Sequence, residues 1–593
     1  MKQLSFILIL TVSLLLSGFT QTSGSYVMDV NNISALLKTS GIHFFDTAAH
    51  YEVPKGSGKN TIFTHALWIG GFDPDDQLHL AAMRHGQIGN DYQTGPVAAD
   101  MNVTAVHAAE YDRFYVVNRS DIEAFLQSGS SAIPDSFWEW PAHGDTTIGQ
   151  AFYLAPFKDA DNDGLYNPRM GDYPLIKGDR TAFYIFNDYR DHTESHALSG
   201  GLEMHAMFYA FDTPQNDIFN NTLFINYKIY NRSNVPLQDC YVGLFTDIDL
   251  GYPNDDYIGC HVQKGFYYGY NGIDSDYVYG INPPIQTVII LGGARLEADG
   301  RDNPAFSLDS ITAATDYCSR YFNSGYPADQ YGYNGMNFGD GIIDNERMGM
   351  TKFFYFNNNN SVTGGPNIPI DYYNLLQGLW RDSTKMKYGG NAHTANGGIG
   401  PECNFMFPGL SDPCHWGTNG IDPNVLSYGN EGWTERTSSN APADRLGLSS
   451  TGPFSFPAGA MEEFDFALTT VFPSGEDTVF TFLGPIADSV RTAFNRGITP
   501  YGQDFTPYAI PHTATMMPIK VYPNPAQDQI TVLLPATIPE ALFTLYDLRG
   551  KALMTQPVAQ QKTLNISHLP AGLYLYRVAD SKHIYSGKIA VSR

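Results

Sequence analysis

The sequence contains little charge, and bases are its scarcest charged residues. Only 16% of its 593 residues are charged, and 35 Lys and Arg stand against 61 Asp and Glu, which gives a formal net charge of -26. A globular protein has roughly 25% charged residues. An acidic surface repels phosphate backbones, so we expect no nucleic-acid partner, whereas divalent cations suit such a chain.

Long apolar runs and catalytic signatures are also scarce. The sequence has no nucleophile elbow, P-loop, dinucleotide-binding glycine motif or CxxC pair. After the run Phe6–Leu16, no stretch is long and apolar enough to cross a bilayer, so we expect no transmembrane span. Because Lys2 precedes that run and small residues follow it, the pattern predicts a secretory signal peptide over residues 1–20.

Cysteines number only five. Cys403 and Cys414 flank a short turn-rich segment, and Cys240 and Cys260 flank an acidic loop. An exported chain permits a disulfide at either place, and Cys318 would then remain unpaired. Spacing alone decides neither pairing.

Aromatic residues, in contrast, are plentiful at 14%, together with 57 Gly and 36 Pro. This composition and the alternating apolar runs predict a mainly β fold, a multidomain β-sandwich body with long loops. Exposed Tyr would also suit contact with carbohydrate, although most Tyr fall in predicted strands. The predicted divisions are residues 1–20 (signal peptide), 21–180 (mixed region), 181–300 (β-sandwich), 301–496 (loop-rich β region), 497–519 (linker) and 520–593 (C-terminal domain).

The C-terminal segment, residues 520–593, reads as a small antiparallel β-sandwich. Four motifs follow one another in it: YPNP at 522–525, LYDLRGK at 545–551, LPAGLY at 569–574 and GK at 587–588. With these motifs the segment resembles the Ig-like type A C-terminal sorting domain of Bacteroidetes type IX secretion cargo. The residues that carry the resemblance are Tyr522, Pro523, Asn524, Pro525, Asp547, Gly550, Pro570, Gly572, Tyr574, Gly587 and Lys588.

That resemblance implies export through the outer membrane by the type IX secretion machinery, followed by release or attachment at the cell surface. The body resembles large, uncharacterised Bacteroidetes surface proteins in five stretches: residues 66–73, 159–174, 245–260, 372–380 and 450–454. Since that group brings no activity with it, this second resemblance constrains architecture and not function.

The first acidic loop, DADNDG at 159–164, begins like a calcium loop. Carboxylates at alternate positions converge on a hard cation, and the glycine permits a sharp turn. The place of the closing glutamate of an EF-hand is taken by Met170, so the loop is not an EF-hand. The alternative is a turn of solvated aspartates. The candidate calcium ligands are Asp159, Asp161, Asp163, Asn167 and Asp172.

A second acidic group lies at the end of a predicted strand. Alternation places Asp247 and Asp249 on one face, and a turn could return Asp255 or Asp256 towards them. The group could hold a second cation, supply the acid–base pair of a glycosidase, or cap a turn. Carboxylates crowded around one point would indicate a metal, whereas two carboxyls about 5–10 Å apart across an open groove would indicate a glycosidase.

Taken together, these features predict a secreted or surface-attached protein that is stabilised by calcium. Its expected role is adhesion, binding of a glycan or another surface partner, or structure, without a catalytic centre. A secreted hydrolase that acts on glycans through paired carboxylates is the alternative function.

Overall fold

The structure, a computed structural model, describes residues 24–592 except 87, 99–102, 129–131, 304–333, 474–479, 507–518, 535–537, 547–551 and 580–583. The predicted signal peptide and two of the sorting residues, Asp547 and Gly550, lie outside these ranges. The chain divides into two compact units at residues 508/509. Across the described ranges, no helix has both the length and the apolarity that crossing a membrane requires.

The larger sheet of the body is antiparallel throughout and is assembled from distant parts of the chain. Residues 180–187 pair on one side with both 93–94 and 115–118. The strands lie in the spatial order Asp256–His261, Phe266–Asn271, Ile285–Gly292, Met461–Val471, Thr222–Asn231, Leu202–Ala210, Arg180–Asn187 and Gln93–Thr94. The strand Tyr115–Asn118 also pairs with Arg180–Asn187.

The smaller sheet is also antiparallel and has the strand Thr64–Phe72 near its edge. Its spatial order is Lys352–Phe356, Arg445–Phe456, Leu237–Ile248, Thr64–Phe72 and Ile42–His43, and Leu78–Ala81 also pairs with Thr64–Phe72. The strand Leu237–Ile248 in its middle carries two of the predicted acidic ligands at or just beyond its end.

The larger sheet is buried on both faces over much of its area. Successive side chains of a strand point to opposite faces, so alternate residues enter different cores. In Leu202–Ala210, Phe208 packs into the core between the two sheets, while Tyr209 packs into a second core on the outer face. The helix Leu483–Arg496 covers that outer core with Leu483, Ala487, Val490 and Ala493.

The remaining elements are short. The other described α-helices are Ala105–Glu110, Arg119–Ser128, Asp135–Trp138, Asp217–Asn220 and Pro369–Leu376. The 3-10 turns are Thr146–Ile148, Pro168–Met170, Pro253–Asp255, Val262–Lys264, Thr394–Asn396, Trp416–Thr418 and Val425–Glu431. The small sheets contain Ser25–Met28, Ser34–Lys38 and Tyr51–Glu52, then Phe157–Lys158 with Tyr173–Pro174, and Ser275–Asp276 with Gly280–Ile281.

The mainly β class is confirmed, but the predicted divisions of the body do not form separate units. Each of the segments 21–180, 181–300 and 301–496 supplies strands to both large sheets. The predicted linker also begins too early, because Phe505 is buried in the outer core and its carbonyl accepts a hydrogen bond from the Gly178 amide at 2.9 Å. An aromatic side chain that fills a core holds its segment against the body.

The cysteines do not pair as the sequence suggested. Cys414 is disulfide-bonded, whereas Cys240, Cys260 and Cys403 are free and buried, so neither 403–414 nor 240–260 is a bridge. Cys318 lies outside the described residues. Burial raises the pKa of each of the three free thiols.

The C-terminal unit is a separate β-sandwich with its own core. One sheet has the order Lys520–Tyr522, Gln529–Leu533 and Gln561–Asn565. The other has the order Ala552–Ala559, Glu540–Tyr546, Gly572–Ala579 and Ile584–Val591. Phe543 and Ile589 are among the buried side chains that fill its core.

Candidate functional site

Strand pairing in the smaller sheet assembles the most concentrated acidic group. The strand that ends at Ile248 runs antiparallel to the strand that begins at Arg445, and these two residues are register partners. Asp444 therefore meets Asp247 and Asp249, although it lies almost two hundred positions away in the chain. One carboxylate oxygen from each of the three lies within 4.8 Å of the other two. Asp247 is buried, and Asp249 and Asp444 are half-buried with one buried oxygen each. We call these three residues the buried aspartate triad.

The triad is poorly satisfied by the protein itself. Asp247 is only 4% exposed. Its Oδ2 lies 2.9 Å from His85 Nε2, but its Oδ1 has no hydrogen-bond partner among the described residues. The Oδ1 atoms of Asp249 and Asp444 are likewise buried without a partner there. A buried acceptor without a partner costs about 1–3 kcal/mol, and more when it is charged.

The electrostatics of the triad point the same way. Burial, and next the charge of Asp444, raises the pKa of Asp247. Burial, then the charges of Asp247 and Asp444, raises the pKa of Asp249. Like charges in a buried site cannot all remain ionised without a counter-charge. Oxygens that bind one Ca²⁺ are at most about 5 Å apart, so three oxygens within 4.8 Å of one another could share a single cation.

Asp255 and Asp256 lie outside the triad. The predicted turn does bring the chain back, but Asp256 Oδ2 accepts a hydrogen bond from the Leu250 amide at 3.0 Å. Asp255 ends the 3-10 turn Pro253–Asp255, and burial, then the charge of Asp276, raises its pKa. Of the four residues predicted for this site, the structure brings only Asp247 and Asp249 together, and it adds Asp444, which sequence reasoning missed.

The first acidic loop also brings three carboxylates together. Asp159, Asp161 and Asp172 offer oxygens within 4.8 Å of one another. Asp163 Oδ1 instead accepts a hydrogen bond from the Leu165 amide at 2.7 Å, and Asn167 Oδ1 accepts one from Arg169 at 3.1 Å. The side chains of these last two predicted ligands therefore accept hydrogen bonds from backbone amides of the loop.

This loop differs from the triad because its carboxylates already have partners. Both oxygens of the buried Asp172 accept backbone amides, from Ala160 at 2.7 Å and Asn167 at 2.8 Å. Asp159 Oδ2 accepts the Gly164 amide at 2.9 Å, and the positive φ of Gly164 lets the chain turn there. The triad is therefore the stronger candidate for a cation.

In the C-terminal unit, the described sorting residues hold the ends of the domain together. Asn524 donates from Nδ2 to the Lys588 carbonyl at 3.1 Å, and its Oδ1 accepts the Ala590 amide at 2.8 Å. The YPNP and GK motifs thus meet through one side chain. Tyr574 donates its hydroxyl to the Pro570 carbonyl at 2.8 Å, which closes the LPAGLY turn.

Comparison with known proteins agrees with this reading of the C-terminal unit. Residues 520–592 match the family described as the secretion system C-terminal sorting domain. No curated protein matches the sequence. Among solved structures, a polysaccharide lyase aligns at 7% identity with a TM-score of 0.18, over 75% of this chain and 37% of the lyase chain.

The sorting domain defines an exported protein. The chain is a cargo protein of the type IX secretion system, which carries it to the cell surface or outside the cell. The sorting domain is the part through which it interacts with that machinery.

Proposed function

We propose that the body is a calcium-braced, non-enzymatic binding or structural protein that works outside the cell. A cation held by the buried aspartate triad would connect the two neighbouring strands of the smaller sheet. The first acidic loop, through Asp159, Asp161 and Asp172, is a second and weaker calcium site in this proposal.

The observation that carries the proposal is the unsatisfied triad. One carboxylate oxygen from each of Asp247, Asp249 and Asp444 lies within 4.8 Å of the other two, and each of these residues has a buried Oδ1 without a hydrogen-bond partner in the described chain. A divalent cation supplies the missing counter-charge and ligand contacts at once. His85, which holds the other oxygen of Asp247, also lines a cavity of about 690 Å³.

The same geometry speaks against the alternative of a glycan hydrolase at this site. The two carboxyls of a glycosidase flank a substrate at roughly 5–9.5 Å across a groove. Asp247, Asp249 and Asp444 instead crowd around one point, and Asp247 is almost fully buried. Such an arrangement favours a metal over a sugar ring.

Removal of the metal tests the proposal directly. The purified full chain is dialysed against chelator, and its melting temperature is measured with EDTA, with Mg²⁺ and with Ca²⁺. A cation that binds only the folded state at a hundred times its Kd stabilises that state by about 2.7 kcal/mol. We therefore expect Ca²⁺ to raise the melting temperature by a few degrees and Mg²⁺ to raise it less.

Two results would contradict the proposal. The first is an identical melting temperature in EDTA and in Ca²⁺, together with no heat of binding when Ca²⁺ is titrated into the protein in a calorimeter. The second is the release of new reducing ends from any polysaccharide of a panel by the wild-type chain. This result would support the alternative function, a glycan hydrolase.

A further inference from the structure

The described residues cover only part of the outer face of the larger sheet. At one end the helix Leu483–Arg496 and its outer core bury it. At the other end the same alternation presents polar side chains, and these form the floor of a cavity of about 520 Å³. The floor residues are His205, Asn226 and Lys228, and the walls include Tyr153, Phe157 and Tyr230. We call this cavity the sheet-face groove.

The floor keeps unused hydrogen-bonding capacity. Asn226 is 3% exposed and donates from Nδ2 to Glu463 at 2.8 Å and to Asp465 at 2.7 Å. Its Oδ1 accepts no hydrogen bond in the described chain, and Lys228 has no ion-pair partner there. The floor therefore offers an acceptor and a donor side by side.

The wall offers an aromatic surface to solvent. Tyr153 is 59% exposed, although it belongs to a cluster of aromatic rings that includes Phe152 at 4.8 Å and His143 at 5.6 Å between ring centres. Its hydroxyl lies over Gly164 of the first acidic loop, where a Cβ would stand 3.2 Å away. The loop that bears the weaker calcium site thus supports this wall.

We propose that the sheet-face groove binds a saccharide segment of a glycan. A sugar ring has an apolar face that stacks on an aromatic ring, and hydroxyls that both donate and accept hydrogen bonds. The volume lies in the range of small-ligand sites, roughly 300–1,000 Å³. An apolar ligand would leave Asn226 and Lys228 without partners.

This inference rests on the proposed binding role and names the partner and its site. In it, Tyr153 stacks on the ring, while Asn226 Oδ1 accepts from a hydroxyl and Lys228 donates to one. These three residues are binding residues, and no bond is made or broken.

The test is retardation of the native full chain in gels that contain soluble polysaccharides. The probes are neutral (a β-glucan, an α-mannan, a xylan) and acidic (an alginate, a pectin). We expect at least one to retard the protein, and we expect Tyr153→Ala and Lys228→Met each to weaken that binding at least tenfold. The matched controls are Tyr277→Ala and Lys385→Met, exposed residues outside the groove, which should bind as the wild type does.

The gel-retardation results decide whether the sheet-face groove is a saccharide site. No retardation by any probe, or retardation unchanged in both groove variants, overturns the groove as a saccharide site. Because Tyr153 is mostly exposed, its variant should keep the wild-type melting temperature, so a loss of binding is not a loss of fold. This test is separate from the test of the proposed function. A calcium-dependent melting temperature without retardation would support calcium stabilisation of the body and would overturn only saccharide binding in the sheet-face groove.

Discussion

At the scale of single residues, Asp444 shows what the sequence could not reveal. Asp247 and Asp249 were recognisable because they alternate at a strand end. Asp444 stands alone before its strand, and only the pairing of residues 237–248 with 445–456 brings it to them. Its sequence neighbourhood carries no ligand spacing, so the third member of the triad could be found only from the fold.

Replacement of Asp444 should change stability in opposite directions with and without calcium. In Asp444→Asn, the amide can donate to a facing carboxylate and removes one negative charge, so the metal-free protein should gain about 1 kcal/mol. The variant also loses a charged ligand, so calcium affinity should fall at least tenfold, which is about 1.4 kcal/mol. Melting temperatures in EDTA and in Ca²⁺ measure both effects.

An exposed aspartate provides the control for that experiment. Asp75→Asn removes the same charge from the surface and should leave both melting temperatures unchanged. If Asp444→Asn shifted both temperatures in the same direction, the triad would not be a cation site.

At the scale of elements, the sequence predicted strands well and their neighbours poorly. The alternating runs of residues 181–300 do form strands. Alternation reports which residues face a core, but not which strand lies beside which. Met461–Val471 accordingly lies between Ile285–Gly292 and Thr222–Asn231, an arrangement that no local pattern indicates.

The side chain of Arg491 connects the helix Leu483–Arg496 to the larger sheet. Arg491 donates to the carbonyls of Leu291 at 3.0 Å, Ile290 at 2.8 Å and Lys264 at 3.0 Å. Burial lowers its pKa to about 10, so it remains charged at neutral pH. Arg491→Met should destabilise the body by about 2–4 kcal/mol, because three carbonyls lose a charged donor.

Urea unfolding of the body measures this loss. Arg496→Met, at the exposed end of the same helix, should change the unfolding free energy by less than about 0.5 kcal/mol. A similarly small change in Arg491→Met would mean that the hydrogen bonds of Arg491 contribute little to holding the helix on the body.

At the scale of the whole molecule, export and the proposed binding role belong to different units. The four motifs of the C-terminal unit could be recognised in the sequence because each is a short local segment and they follow one another along the chain. The body has no such motifs, and its division into three parts failed because its sheets pair residues hundreds of positions apart.

Removal of residues 520–593 should separate the two roles. The body has its own cores, so the truncated chain should keep the melting temperature of the body. Without its sorting domain it should accumulate in the periplasm of a bacterium that has a type IX secretion system. Cell fractionation and thermal melting measure the two effects, and appearance of the truncated chain at the surface would contradict the assignment.

The burial of the three free thiols has a consequence for a protein that works outside the cell. The thiolate is the form that reacts, and burial suppresses it at Cys240, Cys260 and Cys403. A chain that stays folded in an oxidising medium therefore keeps these thiols reduced, whereas a chain that unfolds can be oxidised at them. The oxidation state of these cysteines therefore reports whether a molecule has unfolded in such a medium.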